Sequence, residues 1–133
     1  MLMVFILTGC DAATQESTGS RGATSEQLAV GDKVFQANCQ VCHGVKARGV
    51  VKDWQKKLAD GAYPAPPLNG TAHAWHHNDK ALLRSINMGG AAIGGIMPAF
   101  KDKLSQEERQ AVLAYIKSLW PEALYKSWSE RNG

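Results

Sequence analysis

No run in this sequence is long and apolar enough to cross a bilayer as a helix. The longest uninterrupted one, Met1 to Leu7, is seven residues, far short of the roughly 20 that a transmembrane helix needs. Charge of one sign is also scarce. Fifteen basic side chains against twelve acidic leave a net charge of +3, and no basic run or basic–aromatic interleave supports nucleic-acid binding. Strand-like alternation of useful length is missing throughout, which points to an all-α fold. Cysteine is limited to three residues and histidine to four. Those few are grouped, and the grouping carries most of the information.

Two of the cysteines stand in Cys39-Gln40-Val41-Cys42-His43. Thiols three apart, followed at once by an imidazole, read as a c-type haem attachment site. Each thiol adds to one vinyl group of the porphyrin, and the next residue offers its imidazole to the iron. A thioredoxin-like redox pair would want a βαβ pattern around it, and half of a zinc site would want a second Cys/His pair at ligand spacing. Neither context is visible. The third cysteine lies in Leu7-Thr8-Gly9-Cys10, after the short apolar run. This resembles the lipobox of a bacterial lipoprotein precursor, with residues 1–9 as a removable signal peptide and Cys10 as the lipid-modified N-terminus. The run is short for a signal peptide and has no Lys or Arg before it, which leaves open a start further upstream. Stable anchoring takes two acyl chains or more.

At 133 residues the chain is expected to form one domain. Residues 10–23 form the anchor and a polar Gly/Ser/Thr-rich tether, and the folded domain is expected over 24–133. Thr24 and Gln27 have the spacing of a capping box, opening a helix that runs to Asn38 with Gly31 in its middle. Val50 to Leu58 is expected to be a short helix. Ala62 to Gly70 (AYPAPPLNG) is too rich in proline for helix or central strand. Asp79 is the expected N-cap of a helix over Lys80 to Asn87, closed by Gly89 and Gly90. The last clear helix opens on Ser105 to Glu108 (SQEE), carries Val112, Tyr115, Ile116 and Leu119 on one face, and stops at Pro121. The tail from Glu122 is amphiphilic, expected either to pack back through Leu124 and Trp128 or to fray.

A six-coordinate haem iron needs a second ligand from across the ring. Met97-Pro98 is the candidate, since Pro98 stiffens the backbone beside the thioether and Gly94 and Gly95 permit close approach. Thioether ligation raises the reduction potential relative to two histidines. Met88 is the competitor. His73, His76 and His77 have three readings: hydrogen bonding to haem propionates or backbone, an accessory copper or zinc site, or an iron ligand.

Taken together, residues 24 to 120 resemble the class I cytochromes c. The carriers of the resemblance are CQVCH at 39–43, PPLNG at 66–70, MPAF at 97–100 and LSQEERQAVLAYIKSLW at 104–120. The resemblance implies that the first and last helices cross closely, with Gly31 and Phe35 meeting Tyr115. It also implies that a proline carbonyl in Pro66-Pro67, with Pro67 favoured, accepts a hydrogen bond from Nδ1 of His43. The function expected is that of a monomeric, membrane-tethered monohaem electron carrier, not an enzyme, on the periplasmic or outward-facing side of a bacterial membrane. One covalent haem c would be held by Cys39 and Cys42 with His43 and Met97 as axial ligands. Its donor would be a membrane dehydrogenase or quinol-oxidising complex, and its acceptor a terminal oxidase or reductase. Lys46, Arg48, Lys101 and Lys103 would steer an acidic partner. The alternatives are a haem- or copper-handling accessory or sensor protein using His73, His76 and His77, and a small peroxidase, which a bound Met97 would block.

Overall fold

A computed structural model describes residues 21–132. The expected signal peptide, Cys10 and the tether up to residue 20 lie outside the described residues. Five α-helices and three short 3₁₀ turns make up the regular structure: α1 Ser25–Asn38, α2 Gln40–His43, α3 Asp79–Met88, α4 Gln106–Ser118 and α5 Glu122–Asn132, with turns at Val45–Ala47, Ala74–His76 and Ala91–Ile93. No strand occurs among the described residues, and the fold is all-α.

The core forms where α1 crosses α4. Phe35 is fully buried, its ring 5.5 Å from that of Tyr115, and Val34, Val112, Leu113 and Ile116 close around them. Each such side chain contributes roughly 1.5–3 kcal/mol on burial. Gly31 lies at the closest approach of the two helices: a Cβ there would stand 2.7 Å from Cβ of Tyr115. The crossing expected from the family resemblance is therefore present. Its helices start as their sequences dictate. Thr24 accepts from the Gln27 N–H at 3.0 Å, and at α4 Ser105 and Glu108 form both halves of a capping box.

Two expectations need correction. The N-cap of α3 is Asn78, whose side chain accepts from the Ala81 N–H at 2.9 Å. Asp79 is instead the first helical residue, where its charge suits the helix dipole, and both its oxygens accept from Nζ of Lys117 at 2.8 Å. Val50 to Leu58 forms successive turns instead of a helix. Val50 and Leu58 are exposed and Val51 and Trp54 only half-buried, so no apolar face of the segment is fully covered, and a short helix without one is unstable in water. Of the two outcomes expected for the tail, packing back is the one observed: Trp128 is buried, and the segment forms a helix, α5. Pro121, read as a stop, immediately precedes it, a position that suits proline's fixed φ and missing N–H.

Residues just ahead of the expected start at 24 also pack on this core. The Arg21 guanidinium donates to the carbonyls of Lys117 and Trp120, pairs with Glu122 at 2.9 Å and lies 4.6 Å from the centre of the Tyr125 ring. Ala23 is buried. One arginine in a polar segment thus satisfies carbonyls at the C-terminal end of α4, which have no partner within the helix.

Candidate functional site

The site begins where α1 ends. Cys39 caps α1, its N–H donating to the Phe35 carbonyl at 2.8 Å, and its own carbonyl accepts from the N–H groups of Cys42 at 3.1 Å and His43 at 2.9 Å. One turn of helix therefore fixes the pentapeptide. Cys39 is half-buried and Cys42 is exposed. Burial, with the neighbouring Cys42 adding to it, pushes the Cys39 thiol up to about 11 against a weaker opposing pull from Lys103. It is protonated at neutral pH.

His43 is only 7 % exposed. Its Nδ1 lies 2.8 Å from the carbonyl oxygen of Pro66. A carbonyl can only accept, so Nδ1 carries the proton and Nε2 keeps the lone pair. Burial lowers the imidazole pKa below its ordinary 6.5, with the Pro66 carbonyl pulling the other way. Neutral imidazole is the metal-ligating form. The favoured acceptor, Pro67, is thus corrected to Pro66. The Pro67 ring sits over Gly49, where an added Cβ would lie 3.1 Å from its Cγ, and the adjacent Leu68 N–H donates to the Ala47 carbonyl at 2.8 Å. Those contacts leave the preceding carbonyl facing His43.

His43 and Cys39 line an apolar cleft shared with Met97, Leu68, Ile86, Phe100, Leu104, Val112 and Ile116. Met97 reaches it on a segment that folds back along the end of α3. The Gly90 N–H donates to the Met97 carbonyl at 2.9 Å, and the Phe100 N–H to Ile86 at 3.0 Å. Gly89, at φ 68°, makes this return possible, because a Cβ there would lie 2.4 Å from the Met97 oxygen. Met88 is 62 % exposed at the end of α3 and does not line the cleft. Imidazole and thioether thus line one apolar crevice together with the Cys39 thiol, and Cys42 follows one turn on, a donor set that suits covalent haem. Asn87, beside the cleft residue Ile86, has the one buried side-chain polar atom without a partner among the described residues, its Oδ1.

Sequence reasoning missed the backbone at Lys46 and Ala47, which hold φ of 54° and 56°. Left-handed conformation costs non-glycine residues energy, and no residue type there signals it. The turn they form buries Ala47 completely, and the Gly49 N–H donates to the His43 carbonyl at 2.6 Å. Lys46, Arg48, Lys101 and Lys103 are exposed. Among the three grouped histidines, His76 stacks on Trp75 with centroids 3.9 Å apart, while the rings of His73 and His77 lie 6.0 Å apart. None of the three lines the cleft.

Comparison with known proteins gives the family. Residues 26–116 match the family model described as cytochrome C oxidase, cbb3-type, subunit III. A chloroplastic cytochrome c6 of Chlamydomonas reinhardtii is 31% identical over 110 residues, covering 83% of this chain and 66% of that protein. The cbb3-type cytochrome c oxidase subunit CcoP of Azospirillum sp. (strain B510) is 31% identical over 103 residues, 77% of this chain and 32% of that subunit. Subunit FixP of the cbb3-type oxidase of Azorhizobium caulinodans is 33% identical over 89 residues, 67% of this chain and 26% of that subunit. The chain therefore spans just under two thirds of the cytochrome c6 and about a third or less of the oxidase subunits. No solved structure matches it.

Proposed function

The chain belongs to the class I c-type cytochromes, and from that premise we propose that it is a membrane-tethered monohaem electron carrier of a bacterial respiratory chain. Cys39 and Cys42 hold the haem covalently, and His43 and Met97 are its axial ligands. The bound haem supplies a one-electron Fe(III)/Fe(II) couple. What the chain's own residues do is position and insulate. Pro66 fixes the His43 ring and its tautomer through the 2.8 Å hydrogen bond, and such an outer partner also raises the basicity of the ligating nitrogen. The apolar walls keep water out, which raises the cost of the more highly charged oxidised state.

The single observation that carries this reading is the convergence of His43 and Met97, 54 positions apart in the numbering, on one apolar cleft with Cys39 at its edge. The lipid at Cys10 and the tether to Arg21 supply the membrane attachment, on the periplasmic or outward-facing side. A dehydrogenase or quinol-oxidising complex is the donor and an oxidase or reductase the acceptor. This accords with relatives that are named as oxidase subunits. Lys46 and Arg48 follow the exposed Val45 in sequence, and Lys103 lies close enough to Cys39 to act on its thiol; with Lys101 they are the basic side chains that would steer an acidic partner.

The test is the optical spectrum of the haem-loaded protein. The weak far-red band of thioether-bound ferric haem is expected in the native protein and in Met88→Ala, and lost in Met97→Ala. A band that survives Met97→Ala, or is missing from the native protein, refutes the ligand assignment.

A further inference from the structure

The grouped histidines have no part in the cleft, yet the chain holds two of them in register. We propose that His73 and His77 form a surface site for a divalent transition metal, copper(II) foremost, separate from the haem. Their ring centres are 6.0 Å apart. An imidazole nitrogen lies about 1 Å from its ring centre and bonds a metal at about 2.0 Å, so two rings sharing one ion have centres about 4.5–6 Å apart. The observed separation is at the wide end of that span. Both side chains are exposed, so a swing of the rings closes it further. Among the described residues neither imidazole nitrogen has a hydrogen-bond partner, which leaves a lone pair on each.

The backbone between them is fixed before any ion arrives. His76 and His77 donate to the carbonyls of His73 and Ala74 at 3.0 and 3.1 Å. The His77 carbonyl accepts from Nε1 of the buried Trp128 at 2.8 Å. Trp54 packs against the His73 ring, centroids 5.4 Å apart. Little ordering remains to oppose binding. His76 is turned away onto Trp75, and among the described residues no third His, Cys, Asp or Glu completes a cluster. The remaining positions fall to water. A two-imidazole aqua site follows the usual order of divalent affinities, with copper(II) above zinc and nickel.

Copper(II) sulfate titrated into the haem-loaded full chain, in a buffer that does not chelate, tests this by electron paramagnetic resonance and calorimetry. One equivalent is expected to bind with the nitrogen couplings of two imidazoles and with the haem spectrum unchanged. His73→Ala and His77→Ala are each expected to weaken binding by about tenfold or more, and His76→Ala to leave it unaltered. Failure to bind one equivalent, binding that survives both single substitutions, equal dependence on His76, or a copper-induced change in the haem spectrum would each overturn the site. Surface alanines at these positions leave the core intact, so loss of copper cannot be confused with loss of fold or of haem.

Discussion

Replacing Gly31 with alanine adds one methyl group at the crossing of α1 and α4. That carbon would lie 2.1 Å from the Ala111 oxygen, 2.7 Å from its carbonyl carbon and 2.7 Å from Cβ of Tyr115. Two of these obstacles are backbone, so no side-chain rotation relieves them, and the helices must separate by about 1 Å. Alanine's greater helix propensity returns about 1 kcal/mol. Overpacking strain costs about 1–3 kcal/mol. A gap of 0.5–1 Å also forfeits a quarter to a half of each van der Waals contact, here across Phe35, Val112, Tyr115 and Ile116. The net expectation is a loss of about 2–4 kcal/mol, a large share of a small domain's total. Val112 and Ile116 also line the cleft, so haem retention should fall in parallel. Urea unfolding of the haem-loaded protein, followed by far-ultraviolet circular dichroism, reads the change as a lower midpoint. Ala111→Gly in the same chain should give no rescue, because the clash is with atoms it retains. An unchanged midpoint, or rescue by Ala111→Gly, would refute the close-crossing argument.

Arg21→Ala removes the guanidinium that grips Lys117, Trp120 and Glu122 and should lower stability by about 1.5–3 kcal/mol; lysine should not restore it, lacking the planar fork. Glu122→Ala should cost under about 1 kcal/mol in the same denaturation assay, since that carboxylate is 73% exposed. Burial and the adjacent Asp32 push the Tyr115 phenol from its ordinary 10 up to about 12. Between those values the folded state holds a proton that the unfolded state releases, so stability should fall as pH rises from 10 to 12. Tyr115→Phe should flatten that part of the pH–stability curve. Pro66→Ala keeps the carbonyl that His43 uses and should leave the haem spectrum native, whereas a change that moves the backbone at 66 should broaden the far-red band.

Helices α1, α3 and α4 were legible because each begins on a side-chain cap and carries its apolar residues at helical spacing. Gly31 was legible for another reason: a glycine inside a helix has a cost that a close crossing explains. Three features were not. The choice between Pro66 and Pro67 depends on which carbonyl is left over once Leu68 pairs with Ala47, a tertiary fact. Asn78 and Asp79 are both good caps, and what separates them is Lys117, 38 residues away. α5 has weak amphipathicity of its own and is fixed by Trp128 and by the Arg21 contact with Tyr125. At the site, one pentapeptide made the cysteines and His43 the candidates. Met97 was preferred to Met88 from its Gly/Pro setting, and Met97 is the one of the two that lines the cleft; the left-handed turn at Lys46 and Ala47 had no local signal.

Residues 44–78 contain little regular structure, yet they set Leu68 in the cleft wall, supply the acceptor that orients His43 and carry the histidine pair. The physical means is a set of ring N–H groups donating to the segment's carbonyls. His43 bonds Pro66, Trp120 bonds Leu68 and Trp128 bonds His77, each at 2.8 Å. Buried carbonyls must be satisfied, and rigid aromatic rings with few rotatable bonds satisfy them at low entropic cost. Proline makes the arrangement specific. Pro64, Pro66 and Pro67 have no N–H, so the segment cannot form the helical turn or strand ladder that would consume its carbonyls internally. The Pro66 oxygen is left free for the imidazole. The prolines that exclude regular structure in the sequence are therefore the same residues that allow His43 to be oriented in the fold.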